Sequence, residues 1–286
     1  MDKYIKLSNG ETIFYKHIKN GHPPLLMLHG NLCSGLHFKP FIPYISQRYD
    51  LYIPDMRGFG RSSYINPITF INDLSNDIYD FTNKLHLSEF DLLGWSAGGA
   101  VCLQFAANHP EKIRHLFLVN SVGYKGCPMY RPDGDIYKNV NAMCKEESQV
   151  LPAQTAIEKQ DISFMYQLWD NVIFTNKKPS NEDMLTFTMA SLAQRNLPEM
   201  YFALSNFNIS HEHNGYTKGT GEISNIKTPV LFLWGSDDVI ISEKDVRETK
   251  HAITCKAEVV MLDNCAHSPF IDCPEKLFSK ILCFSK

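Results

Sequence analysis

The sequence predicts an α/β protein whose mostly parallel sheet carries helices on both faces and a helical insertion above one edge. Short apolar runs of strand length alternate with stretches of helix length, which is typical of such a sheet. The alternation stops near Gly123 and resumes at Thr228, which indicates an insertion between two strands. With 286 residues, 44% of them hydrophobic, the chain can form one large domain or a domain with an insertion.

The elements follow from apolar runs and turn residues. Residues 4–7 and 12–15 flank Asn9-Gly10, which predicts a β-hairpin with a primed two-residue turn. Buried strands are predicted at 25–28, 51–53, 90–93, 116–119, 230–234 and 258–262. Helices are predicted at 38–48, 70–85, 97–109, 243–252 and 275–284. Strand and helix in alternation require crossover connections, and these favour parallel strands.

The insertion defines the predicted domain organisation. Residues 1–123 and 224–286 are expected to form the core domain, and residues 124–223 a helical cap over the carboxyl edge of the sheet. The insertion is broken by prolines and rich in aromatic side chains. Most of these aromatics are expected to fill the interior of the cap, and some to form an apolar pocket for an acyl group.

Composition excludes several classes of protein. The net charge is −3 and no basic stripe is present, so a nucleic-acid partner is not expected. The first residues lack the apolar core of a signal peptide, and no apolar run reaches membrane-spanning length. Eight scattered cysteines with no C-x-x-C pair indicate reduced thiols and a cytoplasmic protein. His211-Glu212-His213 lacks the helical spacing of a zinc site, so no metal is predicted.

Ser96 is the candidate nucleophile. It lies in Gly94-Trp95-Ser96-Ala97-Gly98-Gly99, directly after the apolar run 90–93 and before a helix-like stretch. A sharp strand-to-helix turn leaves room only for small residues two positions either side of the serine, and both positions are glycine. Such a turn exposes the hydroxyl and directs the helix amino terminus toward it. A serine becomes nucleophilic only with a base and an anion site nearby.

The anion site is predicted beside the first buried strand. His29-Gly30-Asn31 follows that strand, and a glycine there lets a backbone N–H face Ser96. The N–H groups of Asn31 and Ala97 would form the oxyanion hole, with the Leu32 N–H as the alternative donor. The side chain of His29 is expected to be structural. The loop 55–62 also follows a strand, and its Asp55 and Arg57 are expected to brace neighbouring loops.

The base and its orienting acid are predicted at two later strand ends. Gly235-Ser236-Asp237-Asp238 offers two adjacent acids, of which Asp238 is chosen, leaving Asp237 to cap a helix or face solvent. His267 lies 29 positions later (267 − 238), which leaves room for one helix and one strand. The order Ser96, Asp238, His267 is the one expected of a nucleophile, acid and base in this architecture. Cys265, close by, is expected only to fill the loop.

Taken together, these motifs resemble the α/β-hydrolase fold family. The matching segments are H-G-N at 29–31, D-x-R-G-x-G-x-S at 55–62, G-W-S-A-G-G at 94–99, G-S-D-D at 235–238 and A-H-S-P-F at 266–270. The resemblance implies a serine hydrolase with Ser96 as nucleophile, His267 as base and Asp238 as orienting acid, and it implies no cofactor. It covers the chain outside the cap.

A finer resemblance concerns the substrate. The elbow, Met56-Arg57-Gly58-Phe59-Gly60 and the segment 207–215 are similar to bacterial intracellular short-chain polyhydroxyalkanoate depolymerases, which cleave polyesters of 3-hydroxybutyrate. The chain is therefore expected to cleave small or oligomeric esters through an acyl-enzyme. The alternatives are a general carboxylesterase, a lactonase, a thioester or carbon–carbon bond hydrolase, and a ligand-binding receptor on the same fold.

Overall fold

Eight strands form one sheet in the computed structural model, which describes residues 2–286. The strands are β1 (Asp2–Lys6), β2 (Thr12–Ile18), β3 (Pro24–Leu28), β4 (Asp50–Pro54), β5 (Phe90–Trp95), β6 (Ile113–Val119), β7 (Val230–Gly235) and β8 (Ala257–Leu262). Their spatial order is β1-β2-β4-β3-β5-β6-β7-β8. β1 and β2 pair antiparallel, and β3 to β8 are parallel. The predicted parallel sheet is confirmed.

The first hairpin exists, but its turn differs from the prediction. The β1–β2 pairing ends with Lys6 opposite Thr12, and the Leu7 N–H donates to the Glu11 carbonyl. Three residues, 8–10, therefore close the hairpin, and of these only Gly10 has a positive φ, of 90°. A primed two-residue turn needs positive φ at Asn9 as well, so that part of the prediction is wrong.

Eleven α-helices lie among residues 2–286. They are α1 (Ile42–Ile45), α2 (Ile71–Lys84), α3 (Ala97–Asn108), α4 (Val140–Met143), α5 (Val150–Lys159), α6 (Ile162–Leu168), α7 (Asn181–Leu192), α8 (Leu197–Asn206), α9 (Glu243–Ala252), α10 (Pro269–Asp272) and α11 (Pro274–Phe284). The predicted helices at 70–85, 97–109, 243–252 and 275–284 are confirmed to within a residue or two. None of the eleven is long and apolar enough to cross a membrane.

The predicted helix at 38–48 is wrong as a continuous element. A 3₁₀ turn at Gly35–Phe38 is separated from the four-residue α1 by Lys39, Pro40 and Phe41. Pro40 and Pro43 explain the break, because proline has no N–H to donate to the helical ladder.

Two apolar cores lie on the two faces of the sheet. One contains side chains of α2 and α3, such as Phe81 and Phe105, and the other contains side chains of α11 and of the cap, such as Ile281 and Phe187. Strands β3, β5 and β7 are almost wholly buried, as expected for parallel strands covered on both sides.

The residues 124–223 carry α4 to α8, and we call them the cap segment. No strand of the sheet falls in this part of the described chain, which contains only isolated bridges such as Tyr130 with Ile136. The cap segment contributes to both apolar cores, for example through Met200 and Trp169. The apolar side chains of the cap segment are therefore buried together with those of the sheet.

Candidate active site

Ser96 lies at the apex of the turn between β5 and α3. Its backbone has φ 54° and ψ −123°, a conformation that L-residues rarely adopt. The Ser96 N–H donates to the Val119 carbonyl, and the Ser96 carbonyl accepts from the Val122 N–H. The strained apex is thereby held by the neighbouring strand end.

Glycine is required on both sides of this apex. A Cβ on Gly94 would lie 2.6 Å from the Cys102 sulfur, and one on Gly98 would lie 2.4 Å from the Leu28 carbonyl oxygen. Both distances are below any real carbon contact, so a side chain at either position would displace the turn. The sequence predicted that only small residues fit at positions 94 and 98, and the structure shows this lack of space.

The loop of residues 29–32, which we call the oxyanion loop after its predicted role, lies directly against Ser96. A Cβ on Gly30 would be only 3.0 Å from the Ser96 Cβ. The Asn31 N–H donates to no residue in the described chain, and the Ala97 N–H opens α3, where no acceptor exists within the helix. These two donors are free for an incoming anion.

The alternative donor proposed from the sequence, the Leu32 N–H, is not free. It donates to the Oε1 atom of Gln194 at 2.8 Å, and Gln194 belongs to the cap segment. A buried N–H with a good acceptor cannot serve a substrate without losing that bond. Of these two candidate donors, the Leu32 N–H has a partner within residues 2–286 and the Asn31 N–H has none.

Asp238 and His267 come together at the ends of β7 and β8. The Nδ1 atom of His267 lies 2.9 Å from Oδ2 of Asp238, and both side chains are buried. Oδ1 of Asp238 also accepts the N–H groups of Ile240 and Ile241. Because the carboxylate requires a proton on Nδ1, the neutral ring keeps Nε2 as an unprotonated acceptor.

Asp237 points away from this pair. It is exposed, and its carboxylate accepts from the side chain of Asn176 at 2.7 Å. The choice of Asp238 rather than Asp237 as partner of the histidine agrees with this arrangement.

The histidine segment is attached to the turn that carries Ser96. The indole N–H of Trp95 donates to the His267 carbonyl at 2.8 Å. Within residues 2–286 the hydrogen bonds of the His267 ring are those to Asp238 alone, and none joins it to the half-buried Ser96 hydroxyl. Serine–base bonds in enzymes without substrate are often long and shorten when substrate binds.

Asn120 is a site residue that sequence reasoning missed. Its side chain donates to the Ala266 carbonyl at 2.7 Å and accepts the Gly235 N–H at 2.9 Å. It therefore joins the end of β6 to both the acid loop and the histidine loop.

The cap segment supplies two further residues that no motif indicated. Gln194 contacts both Asn31 and Leu32, and the Ser191 hydroxyl lies 2.6 Å from the Leu32 carbonyl. Both side chains are buried. They connect the cap segment to the oxyanion loop over more than 150 residues of chain.

Tyr201 is an aromatic residue of the cap segment that contacts the side chain of Asn31. Burial, together with the Glu146 charge, raises the pKa of Tyr201 to about 12, while a hydrogen bond with the Asn31 side chain opposes that rise. Glu146 lies in the wall of an open cleft of about 810 Å³ formed by residues 130–148. With its pKa raised to about 12, Tyr201 is a neutral phenol near neutral pH.

The side chains expected to be structural do have structural contacts. His29 is fully buried, bonds the Gly30 carbonyl through Nδ1 and accepts the Met56 N–H at Nε2. Burial lowers the pKa of His29 to about 4, so the ring stays neutral. Asp55 accepts the N–H groups of Gly35 and Arg61, and Arg57 pairs with Asp77 at 2.7 Å.

No cluster of three or more metal-ligating side chains occurs in the described chain. His211 bonds Ser224, and Glu212 pairs with Lys125. The Cys265 sulfur lies 2.9 Å from that of Cys273, and both cysteines are free thiols.

These features agree with the comparisons to known proteins. The family model of the alpha/beta hydrolase fold matches residues 23–274, and the chain belongs to that family. The chain is 23% identical over 288 residues to lipase 3 of Moraxella sp. (strain TA144), covering 94% of this chain and 80% of the lipase. It is 26% identical over 273 residues to the monoacylglycerol lipase ABHD6 of Mus musculus, covering 92% and 76%.

Solved structures show the same fold. An esterase of Exiguobacterium antarcticum superposes with a TM-score of 0.78 at 19% identity, covering 100% of this chain and 99% of the esterase. At this identity the likeness concerns the arrangement of strands and helices. Function has to be argued from the side chains.

Proposed function

We propose that this chain is a serine hydrolase of carboxylic esters. Ser96 is the nucleophile, His267 the base and Asp238 the orienting acid. The N–H groups of Asn31 and Ala97 form the oxyanion hole. The proposal is supported by similarity to proteins named lipases, one of them a monoacylglycerol lipase.

The observation that carries the proposal is the buried His267–Asp238 pair beside a strained serine turn. The 2.9 Å contact fixes the tautomer of His267 so that Nε2 can accept the Ser96 proton. Ser96 Oγ then attacks the ester carbonyl, and the oxyanion is bound by the two free N–H groups. The imidazolium returns its proton to the leaving alcohol, and water attacks the acyl-enzyme by the same route.

The first experiment measures hydrolysis of p-nitrophenyl acetate, butyrate and octanoate by wild type and Ser96→Ala, with labelling by a fluorophosphonate. We expect Ser96→Ala to lose both hydrolysis and labelling. Ser75→Ala is the control, because Ser75 lies in α2, is buried, and its hydroxyl has no partner in the described chain. Labelling that persists at another serine in Ser96→Ala would falsify the assignment.

A narrower proposal is cleavage of short hydroxyalkanoate polyesters or their oligomers. It rests on the segment 207–215, in which Asn208 bonds the carbonyls of Glu212 and Thr217. These contacts give the segment a structural role, so its resemblance to depolymerases is weak support. Release of 3-hydroxybutyrate from amorphous granules tests it. Rapid turnover of simple esters without such release would leave a general carboxylesterase.

A ligand-binding receptor is the candidate from another class. A receptor can keep this site and turn substrate over slowly. The free oxyanion donors favour an enzyme, since a binding protein has no need of an unoccupied anion site beside a serine. Negligible turnover of every ester in the panel, with tight retention of an ester ligand, would favour the receptor.

A further inference from the structure

Leu32 has an unusual backbone for a leucine. Its φ is 56°, in the left-handed region that a branched side chain disfavours. Its own side chain is buried, so the residue is packed as well as strained. Such a conformation persists only where surrounding contacts hold it.

The contacts that hold Leu32 come from the cap segment. Oε1 of Gln194 accepts the Leu32 N–H at 2.8 Å, and the Ser191 hydroxyl lies 2.6 Å from the Leu32 carbonyl. Both backbone polar groups of this one strained residue are thus bonded to side chains more than 150 positions away. No core side chain shares this task among residues 2–286.

The Gln194 amide is fully used at this point. Its Nε2 atom donates to Oδ1 of Asn31 at 2.8 Å and to Oδ1 of Asn196 at 2.9 Å. With Oε1 bound to Leu32, both donors and the acceptor have partners, and the side chain is only 2% exposed. A fully bonded, buried amide has one stable orientation.

We propose that Gln194 is a positioning residue for the oxyanion hole, acting from the cap on residues 31 and 32. This inference rests on the proposed esterase function. Gln194 takes the Leu32 N–H out of use and keeps Leu32 left-handed, so that the Asn31 N–H remains free beside Ser96, together with that of Ala97. Without it, Leu32 relaxes toward negative φ and turns the preceding peptides relative to the serine.

The geometry makes the site sensitive to such a movement. Oxyanion donors act at 2.7–3.1 Å from the developing charge, so a shift of a few tenths of an ångström weakens them. The backbone of Gly30 lies very close to Ser96, because a Cβ at position 30 would be only 3.0 Å from the Ser96 Cβ. Gln194 contacts this loop at both Asn31 and Leu32, so its hydrogen bonds restrict movement of the loop relative to Ser96.

The test compares Gln194→Met with Gln160→Met. Methionine keeps the length and bulk of glutamine but forms none of its hydrogen bonds. Gln160 is the matched control, because its amide bonds the carbonyls of Ile157 and Leu192 in the same cap without contacting the oxyanion loop. For p-nitrophenyl butyrate we expect kcat to fall about tenfold to a hundredfold in Gln194→Met with KM within twofold, and to stay within threefold in Gln160→Met.

Two further measurements separate positioning from general damage. A trifluoromethyl ketone forms a serine adduct that carries an oxyanion, so its affinity should fall by the same factor as kcat/KM in Gln194→Met. Amide hydrogen exchange at Leu32 should become at least tenfold faster in that variant, whether or not the protein hydrolyses any ester. If Gln194→Met does not fold, Ser191→Ala is used, with a severalfold loss of kcat expected.

The outcomes are distinct. Unchanged kcat in folded Gln194→Met overturns the inference, as does an equal loss of kcat in both methionine variants. Wild-type protein without ester turnover defeats the proposed function instead. In that case faster exchange at Leu32 still shows that Gln194 holds the loop, and unchanged exchange overturns that as well.

Discussion

The two loops on either side of Ser96 are held from different parts of the molecule. The oxyanion loop, residues 29–32, is bonded to Gln194 and Ser191 of the cap segment. The histidine loop, residues 263–268, is bonded to the core. Its three successive carbonyls at 265, 266 and 267 accept from the Asp237 N–H, the Asn120 amide and the Trp95 indole.

This difference separates the two chemical tasks of the proposed site. Proton transfer depends on the His267–Asp238 pair, whose side-chain hydrogen bonds all involve core residues. Stabilisation of the oxyanion depends on contacts that cross from the cap. Disturbing the cap should therefore affect the oxyanion and leave the His267–Asp238 pair intact.

The largest effect is expected from Asp238→Asn. The amide would impose the wrong tautomer on His267, and in serine enzymes the corresponding change lowers kcat by about 10⁴-fold with little effect on folding. Ester hydrolysis and the thermal midpoint are measured together. Asp237→Asn, one residue away and exposed, is the control and should retain nearly full activity. Equal losses in the two variants would contradict the assignment.

Asn120→Asp should have the next largest effect. The carboxylate keeps the acceptor for the Gly235 N–H but replaces the donor that bonds the Ala266 carbonyl. A buried carbonyl left without its donor costs about 1–3 kcal/mol. We expect a lower thermal midpoint and roughly tenfold lower kcat, because the histidine loop loses a support. Normal kcat at a lowered midpoint would make Asn120 purely structural.

A smaller effect is expected from Trp95→Phe. The change removes the indole donor to the His267 carbonyl and part of a buried ring. We expect about 2 kcal/mol lower stability in urea unfolding and a severalfold loss of kcat. Trp234→Phe removes a similar indole bond, to the Ile241 carbonyl beyond Asp238, and allows comparison of the two supports. A larger loss of kcat in Trp234→Phe than in Trp95→Phe would contradict the claim that the Trp95 bond supports the position of His267.

The smallest expected effect is the interaction energy between changes at the histidine loop and changes at the oxyanion loop. If the loops are supported independently, the kcat losses of Asn120→Asp and Gln194→Met should multiply in the double variant. Additivity of separate sites holds within about 0.5 kcal/mol, which is little more than a factor of two in rate. A double variant no slower than either single variant would show that both changes act on one shared step.

The sequence predicted those parts of the molecule that depend on local pattern. The parallel strands follow from continuous apolar runs, and the serine turn follows from glycines at fixed spacing around Ser96. The His267 loop was found because it directly follows a strand. Each of these features is encoded within about ten consecutive residues.

Residues that act across long sequence separations were not predicted. Gln194 and Leu32 are 162 positions apart, and Asn120 and Ala266 are 146 apart. No motif marked Gln194 or Asn120. Their roles depend on how helices and strands pack, which a single sequence does not specify locally. The error at 38–48 was local instead: Pro40 and Pro43 lie within the predicted helix and should have divided it.

The Gln194–Leu32 contact has a consequence for chimaeric enzymes. Exchanging the segment 124–223 between relatives is an obvious way to alter which esters are accepted. In this protein the transplanted segment would need a side-chain amide that reaches Leu32, as Gln194 does. Without that amide, the chimaera would gain a new pocket but its rate of hydrolysis would fall. Retaining residues 191–196 of the recipient at the junction is the graft design that avoids this loss.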